Sequence, residues 1–228
     1  MNAPPVLSAK NIRKTFSHPA EIEILKGVSL DLYPGESIAI MGASGEGKST
    51  LLQILGTLEE ATSGELTIAG KSVQNNPPPS LRNRHIGFVF QSFHLLEDYS
   101  VLQNVLMPAL IAGKEIHNHS EAYARAVDLV KKVGLDKRLD YPAKLLSGGE
   151  KQRTAIARAL CNDPEILLAD EPSGNLDHAT SRQIQELLLG SVKELNKSLI
   201  VVTHDNALAS LCDRKLVLWD GNLKEEGN

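Results

Sequence analysis

Ser37-Ile38-Ala39-Ile40-Met41-Gly42-Ala43-Ser44-Gly45-Glu46-Gly47-Lys48-Ser49-Thr50-Leu51-Leu52 is the stretch on which the fold turns. Ser37 to Met41 is a short apolar run of the kind that forms a strand buried on both faces. It enters a glycine-rich loop, Gly42 to Gly47, and then a helix-forming stretch, Ser49 to Leu58. Strand, glycine loop and helix in that order are the context of the phosphate-binding loop, with Gly42, Gly47, Lys48 and Ser49 at its defining positions. The chemistry asks for these residue types. Glycines let the backbone from Gly42 through Ala43, Ser44, Gly45, Glu46 and Gly47 wrap so that its N–H groups point at phosphate oxygens. The helix start, Lys48-Ser49-Thr50, adds free N–H groups and the positive end of its dipole. In such a loop Lys48 reaches the β and γ phosphates and the Ser49 hydroxyl ligates Mg²⁺.

Working outward, 228 residues are enough for one sizeable core with a smaller lobe attached. A hydrophobic share of 42% and a charged share of 23% describe an ordinary globular chain and exclude a disordered one. The formal net charge of −4 supplies no positive field for nucleic acid or anionic lipid, so no nucleic-acid partner is expected. Cys161 and Cys212 stand far apart in apolar surroundings and read as reduced structural residues. Met1 to Lys10 has no basic region followed by a long apolar run, so it does not read as a signal peptide. No run of about 18 apolar residues offers a membrane span.

Leu7–Phe16 and Ile22–Leu32 alternate as strands. Tyr33-Pro34-Gly35-Glu36 is a turn. Glu65–Ala69, Ile86–Phe90, Ile166–Ala169, Leu199–Thr203 and Lys215–Trp219 read as further strands, and Gln74–Ser80, with three prolines, as a mobile loop. From Val101 to about Leu139 the texture turns helical, with Tyr123, Ala126, Val127 and Val130 on one face. Thr180–Leu195 is amphipathic through Ile184, Leu187, Leu188 and Leu195. The expected fold is α/β: a mainly parallel sheet with both faces covered, and a helical lobe from about 93 to 145 inserted between 1–92 and 146–228 of a single domain. Asn2–Pro5 and Lys224–Asn228 read as frayed ends. His117 and His119 lie in a polar loop with no partner carboxylate in view and are not expected to bind metal.

Two more segments carry chemistry. Ile166-Leu167-Leu168-Ala169-Asp170-Glu171 is a buried strand delivering an acid pair at its end. Asp170 suits a Mg²⁺-associated carboxylate and Glu171 can polarise an attacking water. Leu146-Ser147-Gly148-Gly149-Glu150-Lys151-Gln152-Arg153 places Ser147 and two glycines at a helix start able to hold a phosphate.

This last octapeptide resembles the signature motif of ABC ATPases, and phosphate loop, signature and acid-ended strand follow in that family's order. The resemblance extends from about Leu7 to Gly221. It implies a P-loop ATPase fold with an antiparallel β subdomain at its N-terminus. It gives Gln91 the place of the glutamine that senses Mg²⁺ and the γ-phosphate, and His204 that of the switch histidine. Ser173-Gly174-Asn175-Leu176-Asp177 matches the loop at the dimer interface, and Phe16 the aromatic that stacks on adenine. The family works as a head-to-tail pair: ATP lies between the phosphate loop of one copy and Ser147, Gly148, Gly149 and Glu150 of the other, with Asp177 at the seam. Glu171, His204, Lys48 and Gln91 are then the catalytic set, and Ser49, Gln91 and Asp170 the Mg²⁺ set. Two residues depart from the usual pattern. Glu46 stands where the family has a small residue, and a carboxylate beside a phosphate cradle is unfavourable unless it points to solvent or a cation. Ser173 replaces the commoner threonine.

Gly56-Thr57-Leu58-Glu59, Gln91-Ser92-Phe93-His94-Leu95-Leu96 and Asn104-Val105-Leu106-Met107-Pro108 are similar to the bacterial branch that holds lipoprotein-releasing, macrolide-efflux and cell-division ATPases. His94-Leu95-Leu96 and Met107-Pro108 look most like the lipoprotein-releasing members. That implies integral-membrane partner subunits and a peripheral place on the cytoplasmic side of the inner membrane. Phe93, Leu95, Leu96, Tyr99, Val101 and Leu102 are either lobe core or the groove for a membrane subunit's coupling helix. The alternatives differ in class. A chromosome-maintenance ATPase needs long heptad runs, a ribosome-associated factor needs a second phosphate loop, and a small-molecule kinase has no use for the signature.

Overall fold

The computed structural model describes residues 3–17, 20–73 and 77–225. Two sheets organise the chain. The first is antiparallel, in the order β2–β1–β4–β5, and comprises β1 (Leu7–Phe16), β2 (Ile22–Leu32), β4 (Ser63–Ile68) and β5 (Lys71–Val73). The second has the order β10–β9–β3–β8–β7–β6. Its strands are β3 (Ser37–Met41), β6 (Ile86–Val89), β7 (Ile166–Asp170), β8 (Ser198–Val202), β9 (Arg214–Trp219) and β10 (Asn222–Glu225). All pairs in it are parallel except β9 with β10. The helices are α1 (Lys48–Leu55), α2 (Pro79–His85), α3 (Val101–Ile111), α4 (Glu121–Lys132), α5 (Gly148–Leu160), α6 (His178–Glu194) and α7 (Asn206–Ser210).

Alternation along the strands divides the interior into two cores. Ile38, Ile40, Leu168, Ile200 and Val202 pack with α1 and the inner face of the antiparallel sheet. Ala39, Leu167, Ala169, Leu199 and Val201 face the other way, onto α5, α6 and the α3–α4 lobe. With both faces covered, β3, β7 and β8 are continuous apolar runs rather than alternating ones, as the sequence indicates. Ile38 and Ile40 are fully buried, which is worth about 1.5–3 kcal/mol each. The lobe has its own scaffold. Buried Asn104 of α3 donates to the carbonyls of Leu96, Tyr99 and Ser100 and accepts from Leu96 N–H, tying down the preceding loop.

Several expectations need correction. Pro79 and Ser80 are the first residues of α2, not loop; proline suits that place because the first helical N–H has no partner. Gln74 to Asn76, the rest of the expected mobile segment, lie outside the described residues. Lys224 and Glu225 are not frayed: they pair with Val217 and Leu216 in β10. At the other end Asn2 lies outside the described residues. His117 does have a carboxylate partner, Glu115, at 3.1 Å, both side chains being exposed.

Candidate functional site

Parallel strands end on the same edge of their sheet. The four neighbours β3, β8, β7 and β6 therefore bring the residues just past their ends into one row, with strands roughly 5 Å apart. Gly42 follows β3, Thr203-His204 follow β8, Glu171 follows β7, and Gln91 lies two residues beyond β6. A cleft of about 430 Å³ opens there, lined by Phe16, Ile24, Ser44, Gly45, Gly47, Lys48, Ser49, Thr50, Gln91, Asp170, Glu171, Val202 and His204.

The glycine loop needs its glycines. At Gly42 (φ +151°) a Cβ would sit 2.5 Å from the Leu218 carbonyl, and at Gly47 (φ +94°) 2.5 Å from the Ile24 side chain. The start of α1 carries no side-chain cap, whereas Ser100, Ser120, Ser147, Asp177 and Asp205 cap α3, α4, α5, α6 and α7. Its first N–H groups are left for an anion. Lys48 folds back over the loop, donating to the carbonyls of Gly42 and Ala43 at 2.8 and 2.9 Å. Glu46 turns out of the cleft: its carboxylate accepts the Asp220 N–H at 2.7 Å, in the β9–β10 turn. Phe16 is 39% exposed at the rim, with the Lys14 ammonium 4.8 Å from its ring centroid.

Asp170 and Glu171 are adjacent, and neighbours on a strand normally face opposite ways. Glu171 escapes that alternation by adopting φ +42°, a left-handed conformation held by its N–H to the Val202 carbonyl. Both carboxylates then line the same cleft. Asp170 Oδ1 accepts from Ser49 Oγ at 3.2 Å. Burial pushes the Asp170 carboxyl above its ordinary range, the Ser49 hydrogen bond opposes this, and the Glu171 charge adds to the rise. Its buried charge thus goes uncompensated, which a cation would reverse. The donors here are hydroxyl, carboxylate and amide oxygens, the set a hard divalent ion takes. Among the described residues no three His, Cys, Asp or Glu could hold a metal by themselves, so such an ion would share phosphate oxygens and water. Glu171 is engaged on both oxygens, by His204 Nδ1 at 2.8 Å and by the Thr203 hydroxyl at 3.3 Å.

The cleft gathers Phe16, Ser44, Gly45, Gly47, Lys48, Ser49, Thr50, Gln91, Asp170, Glu171 and His204. It does not gather Ser147, Gly148, Gly149, Glu150 or Asp177. Ser147 and Glu150 form a reciprocal cap at the start of α5, with Ser147 N–H on Glu150 Oε2 at 2.9 Å. That bond is the main cause holding the Glu150 carboxyl below its usual range. Asp177 caps α6. Two residues escaped the sequence reading: Thr203, which stands between two residues singled out there, and Asn175, whose side chain bonds Gln91. Of the apolar residues after Gln91, Val101 and Leu102 are lobe core, while Leu96 and Tyr99 are 46% and 45% exposed.

A glycine loop wrapped on an uncapped helix, with strand-end acids beside it, defines a nucleotide-hydrolysing protein of the phosphate-binding-loop class. The sequence model of the ABC transporter family matches residues 25–174, and the chain belongs to that family, as an ATP-binding and ATP-hydrolysing cassette. It is 53% identical over 218 residues to the lipoprotein-releasing system ATP-binding protein LolD of Protochlamydia amoebophila, covering 96% of each chain. It is similar to the solved dimeric structure of MJ0796, a bacterial ABC transporter cassette: TM-score 0.86, 37% identity, 97% of this chain and 99% of that one. The same cassette in a dimeric post-hydrolysis state, bound to ADP and phosphate, gives a TM-score of 0.84 at 37% identity, with the same coverage. Among the described residues no helix is long and apolar enough to cross a membrane.

Proposed function

We propose that this chain drives the release of lipoproteins from a bacterial inner membrane. It acts peripherally on the cytoplasmic side through integral-membrane subunits, as a head-to-tail pair of copies closed by ATP and opened by hydrolysis. The observation that carries the pairing is the division of the motifs. The phosphate loop, Asp170, Glu171, His204 and Gln91 share a cleft that Ser147 to Glu150 do not line, so a second copy has to supply the signature. The cargo rests on the likeness to LolD over nearly the whole chain.

In this reading the loop N–H groups and Lys48 hold the β and γ phosphates. Phe16 stacks on the base. Ser49 and Asp170, with Gln91, hold Mg²⁺, which would neutralise charge on the bridging oxygens. Glu171 orients and deprotonates the attacking water, and His204, hydrogen-bonded to it, holds its carboxylate in place beside the γ-phosphate. Ser147 of the other copy completes the phosphate shell. Leu96 and Tyr99 belong to the surface offered to a membrane subunit, and Val101 and Leu102 do not.

The test uses Glu171→Gln, which loses turnover about 10²- to 10⁴-fold as the base is removed. Tagged and untagged copies of this variant are produced together and captured from solubilised membranes with ATP and Mg²⁺. Recovery of the untagged copy, integral-membrane subunits and lipoproteins is expected. Efflux or cell-division membrane partners would overturn the cargo. Recovery of neither untagged copy nor membrane protein would overturn the mechanism.

A further inference from the structure

Gln91 lies in an irregular stretch between β6 and α3, where no ladder holds its backbone. Its contacts instead come from the loop between β7 and α6. Asn175 Nδ2 donates to the backbone carbonyl of Gln91 at 3.0 Å, and Asn175 Oδ1 lies 3.2 Å from Gln91 Nε2. The order of these bonds settles both amides. A backbone carbonyl can only accept, so the Asn175 nitrogen must face it and the Asn175 oxygen must face the Gln91 side chain. Gln91 can then present only its nitrogen there, and its oxygen is left over. Among the described residues nothing donates to Gln91 Oε1.

The neighbouring Gly174 reinforces this arrangement. A Cβ at Gly174 would lie 3.0 Å from Gln91 Nε2, so a side chain there would press on the amide. The loop itself is anchored: Gly174 N–H reaches the Glu171 carbonyl at 3.0 Å, and buried Ser173 accepts from Gln185 at 3.1 Å. A hard divalent cation takes an amide oxygen and not an amide nitrogen. Without Asn175 the Gln91 amide could turn either way at little cost.

We propose that Asn175 is a positioning residue, which with Gly174 orients the Gln91 amide so that its oxygen is free for the cation beside Ser49 and Asp170. This rests on the reading of Gln91 as a cation contact. Information about the 173–177 loop, expected at the seam of the pair, thereby reaches the metal place within one copy.

The experiment measures binding of β,γ-imido ATP to the full chain by calorimetry, with and without Mg²⁺. Asn175 is exposed, so Asn175→Ala should fold as the parent does. It is expected to leave Mg²⁺-free affinity within about twofold and to cut the gain in affinity from Mg²⁺ about two- to tenfold, the worth of one hydrogen bond. Gly174→Ala, which removes no hydrogen-bonding group, should cut the gain in the same direction. In a Gln91→Ala background Asn175→Ala should add nothing. An unchanged Mg²⁺ gain in Asn175→Ala, or an equal loss in both backgrounds, would overturn the positioning role while leaving Gln91 as a contact. A Gln91→Ala protein that keeps the full gain would remove the underlying reading and the proposal with it.

Discussion

Arg158 of α5 is half-buried, and its guanidinium donates to the carbonyls of Phe93, at 2.7 Å, and His94. Burial lowers its basicity, and among the described residues no carboxylate pairs with it. Replacing it by methionine keeps the apolar stem and removes the charged head. Two bonds to a charged group are worth about 1.5–3 kcal/mol each. Against them stands the cost of partly desolvating a cation with no counterion, several kcal/mol if burial were complete and less here. The His94 carbonyl regains water on removal, because His94 is exposed, and the half-buried Phe93 carbonyl regains less. The balance is a loss of about 1–3 kcal/mol. At this length each kcal/mol moves the melting temperature by about 2–4 °C, so Arg158→Met should melt roughly 2–12 °C below the parent. The assay is scanning calorimetry of nucleotide-free protein at one matched concentration, since pairing would itself shift the midpoint. Arg158→Lys, whose single ammonium reaches one carbonyl better than two, should fall between. A melting temperature within about 1 °C of the parent, or above it, would refute the reasoning: the desolvation cost would then cancel the bonds, and α5 would not be what holds the segment after Gln91.

Glu46→Ala removes a negative charge beside the phosphate cradle and releases the Asp220 N–H. ADP should bind about two- to fivefold more tightly at low salt, with the gain shrinking at about 1 M salt, where screening reaches only about 3 Å; titration at the two ionic strengths checks both. Burial, followed by the Asp213 charge, pushes the Cys212 thiol up to about 11, and burial pushes Cys161 up as well. Alkylation of native protein at pH 8, followed by mass spectrometry, should therefore run about two orders of magnitude slower at Cys212 than at an ordinary thiol, and accelerate as pH rises.

Much of this molecule was legible because its strongest signals are local. β1, β2 and β3 begin and end where alternation and the Tyr33–Glu36 turn place them. The same holds for the glycine loop and the acid-ended β7. The hidden features depend on partners distant in sequence. β10 is polar and short, and only its pairing with β9 makes Lys224 and Glu225 a strand. Helix α2 begins inside a proline run that reads as loop, and α7 has only five residues, under an Asp205 cap. Glu171 was placed in the site by its position next to Asp170, but the left-handed φ that turns it there has no local marker. The destination of the Glu46 side chain, Asp220, lies 174 residues away.

The stretch from Phe90 to His94 shows how side chains replace secondary structure where a site must be both placed and movable. It has no helix and no strand, and is held at three points. Asn175 grips Gln91 from the loop after β7. Gln152 of α5 reaches the Phe90 carbonyl at 3.4 Å, a weak contact whose own Oε1 is buried without a partner. Arg158, two turns along the same helix, takes the carbonyls of Phe93 and His94. Two of these points lie on the helix that starts at Ser147, and one lies on the loop that ends at Asp177. A displacement of Gln91 toward a cation therefore loads α5 and the 173–177 loop together. Each link is a hydrogen bond of modest worth, so the segment can change partners within the energy that nucleotide binding supplies, which a paired strand could not do without breaking a ladder. The same economy predicts where damage should tell: Asn175→Ala should act on the metal, and Arg158→Met on stability. Finding those two effects exchanged would mean that the segment is held in a different way from the one its hydrogen bonds describe.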